Sequence, residues 1–311
     1  MKLVFCGTPE FAVPTLNAVL AAGHDIALVL TQPDRPAGRK MELHAPPVKQ
    51  LALERGLNVL QPERIKRNDS LREQLEAIQP DAILVVAYGR IIPDWMLALP
   101  RFGNLNLHGS LLPKYRGAAP IQWAVANGET ETGVSTMRLD SGLDTGDVLL
   151  EMRVPIGQES TAAELFEQLA QVGADLMLRT LEGLAAGTLA PTAQDHAKAS
   201  LAPILTREDG RLGVDQRSAQ QVYDRWRGFY PWPGAWGMFR GKRFLVHRLR
   251  VHTASCRLEP SELRLESDRL LLGAASEDVL ELLEVQMEGK PRMPGSAFGR
   301  DFQLRMGERL E

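Results

Sequence analysis

Asn106 and His108 lie two residues apart in the run Asn104-Leu105-Asn106-Leu107-His108. In a strand, side chains two apart point to the same face. A strand over 104–108 therefore presents a carboxamide beside an imidazole, with Leu105 and Leu107 on the opposite face. An imidazole can take up and return a proton near neutral pH. Two polar groups side by side at the carboxyl end of a strand sit where open α/β sheets bind ligands, although a hydrogen-bonded strand end would carry the same residue types. A second stretch, Leu139-Asp140-Ser141-Gly142-Leu143-Asp144-Thr145-Gly146-Asp147, sets three carboxylates in a glycine-rich loop. It lacks the D-x-[DN]-x-[DN]-G ladder of a calcium loop. One of the three can instead orient His108, and spacing leaves open which.

These residues need a framework, and the first half alternates strand and helix patterns. Strands are predicted at 2–6, 25–31, 58–60, 82–87 and 104–108, with a strand pair at 133–139 and 148–155. Helices are predicted at 11–22, 47–55, 69–78, 118–126 and 161–186. This order predicts an α/β, Rossmann-like, mostly parallel sheet with helices on both faces, and ligands in such sheets bind at the carboxyl ends of strands. The first turn, Gly7-Thr8-Pro9-Glu10-Phe11, has one glycine and a proline where a pyrophosphate would need a backbone donor, so no dinucleotide site is expected. Residues 33–47 read as a long exposed loop. The Ala/Pro/Thr-rich segment 190–206 reads as a linker between a domain at 1–189 and another at 207–311. The second carries a helix over 218–227 and several short strands, which predicts a small OB-like β-barrel.

The chain has 311 residues, 44% hydrophobic and 24% charged, with a net charge of −3. Two folded domains are expected, and a disordered chain or a disulfide scaffold is excluded. No apolar run approaches the roughly 18 residues of a membrane span, and the start has no secretory-signal pattern. Cys6 and Cys256 show no metal-ligand spacing. Residues 1–203 hold 18 Lys/Arg against 23 Asp/Glu, whereas 204–311 hold 18 against 16. Residues 225–258 contain eight basic residues and no acidic one, interleaved with aromatics. Such a segment suits nucleic-acid phosphates or a solvated face over an aromatic core. Most of Trp226, Tyr230, Trp232 and Trp236 are expected to pack as core.

Several motifs together resemble the methionyl-tRNA formyltransferases across essentially the whole chain. They include Phe5-Cys6-Gly7-Thr8-Pro9-Glu10-Phe11-Ala12, Gln32-Pro33-Asp34-Arg35-Pro36-Ala37-Gly38-Arg39 and Val86-Ala87-Tyr88-Gly89. Asn106-Leu107-His108-Gly109-Ser110-Leu111-Leu112-Pro113, Arg116-Gly117-Ala118-Ala119-Pro120 and Gly142-Leu143-Asp144-Thr145-Gly146-Asp147 complete the set. The resemblance implies that Asn106, His108 and Asp144 are catalytic and that Ser110, Leu111, Leu112 and Pro113 line a folate site. It implies 10-formyltetrahydrofolate as co-substrate, with no metal and no nucleotide, and methionyl initiator tRNA as acceptor. Arg35, Arg39 and Lys40 would meet the acceptor end, and Arg240, Lys242 and Arg243 would meet tRNA phosphates. A cytoplasmic monomer with no membrane contact is expected.

Overall fold

The computed structural model describes residues 1–37, 42–253 and 258–311. The apolar runs of the first half form fully buried strands, as expected where both faces of a sheet are covered. In chain order the first elements are β1 (Lys2–Gly7), α1 (Val13–Ala21), β2 (Asp25–Leu30), β3 (Arg35–Ala37), β4 (Glu42–His44), α2 (Pro47–Glu54) and β5 (Val59–Leu60). Next come α3 (Asp69–Ile78), β6 (Ala82–Val86), α4 (Asp94–Leu97), β7 (Asn104–His108), β8 (Arg116–Gly117) and α5 (Pro120–Ala126). They are followed by β9 (Glu131–Arg138), β10 (Val148–Pro155), α6 (Ala162–Ala186) and β11 (Leu201–Ala202).

Seven strands form one sheet in the order β10-β9-β7-β6-β1-β2-β5. The pairs from β7 through β5 are parallel, while β9 and β10 are antiparallel additions. This is the expected Rossmann-like, mostly parallel sheet. The strand order reverses between β1 and β6, and β7 lies beside β6, so ligands are expected at the carboxyl ends of these strands. A Cβ on Gly173 of α6 would lie 2.6 Å from Leu107 Cδ2, so α6 backs the leucine face of β7. Asn104, on the other face, donates to the carbonyls of Met96 and Leu97 at 2.9 and 3.2 Å.

The structure departs from expectation in three places. The 33–47 segment, read as a loop, carries the antiparallel ladder of β3 and β4, with Arg35 opposite His44. Three-residue strands are too short to leave a periodic signal. Residues 190–203, read as linker, are tied down: Thr192 bridges Val148, and β11 pairs with β8, Leu201 opposite Arg116 and Ala202 opposite Gly117. The chain also divides discontinuously. One compact unit comprises 1–120, 131–155 and 165–203, and the other comprises 121–130, 156–164 and 204–311.

The second unit contains α7 (Ala219–Phe229), β12 (Ala235–Phe239), β13 (Lys242–His252), β14 (Leu263–Glu266), β15 (Arg269–Leu272), β16 (Val279–Met287), β17 (Met293–Pro294) and α8 (Gly295–Asp301). Ser218 and Gln221 form a capping box that starts α7. The strands make an antiparallel sheet in the order β12-β13-β16-β15-β14, with β17 beside β16. Phe239, Phe244 and Phe298 pack in its core, with ring centroids 5.0–6.3 Å apart.

Candidate active site

The local backbone around the carboxyl ends of β6 and β7 is unusual. Ala87, Tyr115 and Asp144 have φ of 46°, 60° and 50°, left-handed values that a side chain disfavours. Each costs on the order of 1–3 kcal/mol and persists only when its surroundings enforce it. These outliers bracket the two residues singled out above.

His108 is buried, and its Nε2 lies 2.9 Å from the carbonyl oxygen of Tyr115. A carbonyl only accepts, so Nε2 carries the hydrogen. In the neutral ring the lone pair is therefore on Nδ1. Nδ1 faces Asp144 Oδ2 at 3.7 Å, beyond hydrogen-bond length but close enough to stabilise an imidazolium. Asp144 Oδ2 is fixed by a 2.8 Å hydrogen bond from the N–H of Gly117. Asn106 shares the face of His108 and is 9% exposed. Among the described residues no hydrogen bond engages its carboxamide, in contrast to Asn104 on the same face. The Tyr88 backbone carbonyl beyond β6 accepts from Thr8 and Gln32, at 3.1 Å each, which locks the neighbouring turn.

The three carboxylates of the 139–147 loop are now separable. Asp140 accepts from Gly142 N–H at 2.9 Å and from the Thr145 hydroxyl at 2.7 Å, so it shapes the loop. Asp147 is exposed. Asp144 alone of the three is brought to His108.

Ser110 is fully buried and its hydroxyl donates to the Lys114 carbonyl at 2.6 Å, inside its own loop. Leu112 is buried too, with its N–H on the Ser135 hydroxyl, while Leu111 and Pro113 are half-buried. Arg35 is exposed on β3, whereas Arg39 and Lys40 lie outside the described residues. At the base of this segment Asp34 accepts from Gln61 and Lys49 at 2.7 Å each. Those two contacts, the Gln61 hydrogen bond first, hold its carboxyl below the ordinary range. Burial pushes the Cys6 thiol well up, so it is a packed core residue and not a nucleophile. Among the described residues no three His, Cys, Asp or Glu side chains cluster as metal ligands would.

In the second unit the acid-free stretch 225–258 is less cationic than it reads. Arg227 is buried against Asp224 at 2.5 Å, and it donates to the carbonyls of Gly157 and Ser160. Arg240 pairs with Glu308 at 2.7 Å, and Arg250 with Glu281, its cross-strand partner, at 2.7 Å. Half-buried Arg225 lies over the Trp123 and Phe229 rings and donates to the Asp209 carbonyl. Lys242 and Arg248 are exposed, and Arg243 stacks 4.4 Å from the centre of the Trp236 ring. Among the described residues these three form no ion pair, and Arg257 lies outside them. Trp236 is buried and Trp226 partly so, as expected, but Tyr230 and Trp232 are 41% and 56% exposed.

Sequence reasoning missed Gln194. Its Nε2 donates to the carbonyls of Asp144 and Gly146 at 2.9 and 2.6 Å, and its Oε1 accepts twice from Arg116. His196, exposed beside it, meets Arg116 Nη2 through Nδ1 at 3.0 Å. Nothing in the Ala/Pro/Thr-rich segment around them signals either contact.

The chain is similar over its length to known proteins. Residues 1–181 match the family profile described as "Formyl transferase", and residues 204–303 match "Formyl transferase, C-terminal domain". The methionyl-tRNA formyltransferase of Acidobacterium capsulatum is 61% identical over 310 residues, covering 100% of this chain and 99% of the relative. That of Koribacter versatilis is 55% identical, covering 100% and 98%. Among solved structures, an N-formyltransferase from Helicobacter canadensis in complex with folinic acid and dTDP-3-aminofucose aligns with a TM-score of 0.67. Its identity is 16%, with 92% of this chain and 99% of that one covered, and it shares the fold.

Proposed function

We propose that this chain, which belongs to the methionyl-tRNA formyltransferase family, performs its chemistry at the carboxyl end of β7 with Asn106, His108 and Asp144. It is an enzyme that moves the formyl group of 10-formyltetrahydrofolate to the α-amine of methionyl initiator tRNA. The observation that carries the site assignment is the His108 ring, donating through Nε2 to Tyr115 and turning Nδ1 to Asp144, on the face it shares with Asn106. As the amine nitrogen bonds to the formyl carbon, negative charge develops on the formyl oxygen, and Asn106 donates to it. His108 Nδ1 takes the proton released by the amine and returns it to the folate nitrogen as the carbon–nitrogen bond breaks. Asp144 stabilises the imidazolium between those two transfers.

Leu111, Leu112 and Pro113 supply the apolar wall of the folate site, and Ser110 shapes it from within. Arg35, Arg39 and Lys40 are assigned to the acceptor end of the tRNA. Lys242 and Arg243 are the better phosphate contacts of the second unit, because Arg240 is engaged by Glu308. The antiparallel sheet of that unit is read as a small OB-like barrel. Two features support this: β13 and β16 shift register around Arg248, and the last residues reach both edge strands, Glu311 exchanging hydrogen bonds with Met238 of β12 and the Glu308 carbonyl accepting from Leu263 N–H of β14. The reading includes a cytoplasmic monomer, since the acceptor is a charged tRNA and the exposed large apolar side chains are scattered from Leu43 to Met306. Among the described residues no helix is long and apolar enough to cross a membrane.

The test is incubation with 10-formyltetrahydrofolate and charged initiator tRNA, reading N-formylmethionine. Formation of product that disappears in the His108→Ala variant is expected. Full turnover in that variant would overturn the site assignment.

A further inference from the structure

We propose that Gln194 and Arg116 are positioning residues that brace Asp144 beside His108, an inference that rests on the active-site reading above. Arg116 is 7% exposed and Gln194 is 9% exposed. Among the described residues no carboxylate pairs with the Arg116 guanidinium. Its Nε and Nη2 donate instead to Gln194 Oε1 at 3.1 and 2.6 Å, and Nη2 also meets His196 Nδ1. A buried cation needs such acceptors.

This fixes the amide. A guanidinium has no acceptor, so Oε1 must face Arg116, and Nε2 must then face the two carbonyls, which cannot donate. Both N–H bonds of Nε2 are used, on Asp144 and Gly146. Hydrogen bonds in a chain polarise one another, so the charge on Arg116 strengthens the grip of Gln194 on the loop. The adjacent residue completes the ring, because Gly117 N–H holds Asp144 Oδ2 at 2.8 Å. Asp144 is thus held by its carbonyl through Arg116 and Gln194, and by its carboxylate through Gly117. Both holds are needed because its φ of 50° is a conformation it would otherwise leave. The frame is rigid: β8 pairs with β11, and the N–H of Tyr115 donates to the Ser200 hydroxyl at 2.9 Å. Tyr115 is also the residue whose carbonyl sets the His108 tautomer. One short ladder therefore orients both partners of the His108–Asp144 pair.

The experiment is a double-mutant cycle on the full chain with Gln194→Met and Asp144→Ala, measuring kcat and the KM for each substrate, with a melting curve for every variant. Gln194→Met keeps the volume and removes all four hydrogen bonds. Misplacing a catalytic group by about 1 Å costs about 10²-fold, so kcat is expected to fall on that scale while both KM values hold. In the Asp144→Ala background the same change is expected to cost nothing further. Equal losses in both backgrounds, or full turnover in Gln194→Met, would overturn the proposal. Should Gln194→Met not fold, Gln194→Glu replaces it in the cycle, since it keeps an acceptor for Arg116 while removing both N–H donors. Full turnover in Asp144→Ala alone would instead refute the active-site reading, and the brace with it.

Discussion

Asn106→Ala isolates the oxyanion donor from the fold. Its carboxamide engages no described residue, so truncation strands no protein partner, and the stability cost should stay below about 1 kcal/mol, the size of a single net hydrogen bond. Losing one preorganised donor costs about 2.7–4 kcal/mol of barrier, or roughly 10²–10³ in kcat. Asn104 is the internal control. It lies two residues earlier on the same face, but its amide nitrogen serves the carbonyls of Met96 and Leu97. Asn104→Ala removes the shared side-chain donor, leaving Met96 its backbone contact from Leu99 N–H at 3.4 Å, and should cost about 1–3 kcal/mol of stability, with kcat close to normal in the folded fraction. The assay is single-turnover formation of N-formylmethionyl-tRNA at saturating substrates, beside a urea melt of each variant. Normal single-turnover rates in Asn106→Ala would remove it from the reaction. Equal rate losses in both variants, corrected for folded fraction, would show that the strand end matters only as structure.

Gly117→Ala should destabilise the chain by about 1–3 kcal/mol and lower turnover. At φ of 117° a Cβ would lie 2.7 Å from the Ala202 carbonyl, and the N–H that holds Asp144 would move; melting and rate measurements check both effects. Arg243→Ala should reduce the magnitude of the salt slope of tRNA binding by about 1, whereas Arg240→Ala, which breaks the Glu308 pair, should show mainly as a lower melting temperature. The Asp34 carboxyl should titrate below the ordinary range, and Gln61→Ala should bring its NMR midpoint back up. Its contribution to stability is complete above the ordinary carboxylate range and is lost as pH falls through the lowered midpoint.

What the sequence made legible follows from the range of each interaction. The two-residue period of a strand is local, so the shared face of Asn106 and His108 could be read directly, as could the buried run of β6. Spacing could not choose Asp144 over Asp140 and Asp147, because all three carboxylates occupy one loop, and that choice rested on the resemblance. In the structure the left-handed turn at Asp144 and the N–H of Gly117, 27 residues away, set it apart. The charge of the second unit misled for the same reason. A window along the chain counts Arg250 as free, but register sets Glu281 opposite it, and Glu308 reaches Arg240 from 68 residues away.

Gln194 marks the limit of this kind of reading. Glutamine in an Ala/Pro/Thr-rich stretch carries no periodic or motif signal, and composition alone made the segment a linker. Its position comes from the pairing of β11 with β8, two residues on each side, which is too short to predict. Yet that pairing sets a buried guanidinium, an amide with one permitted orientation and a strained aspartate in a single chain of hydrogen bonds. A polar side chain that is buried with every donor and acceptor used is expensive to assemble and leaves little freedom to the groups it holds. Here the group held is the backbone of Asp144, whose carboxylate faces the only His108 nitrogen left to move a proton.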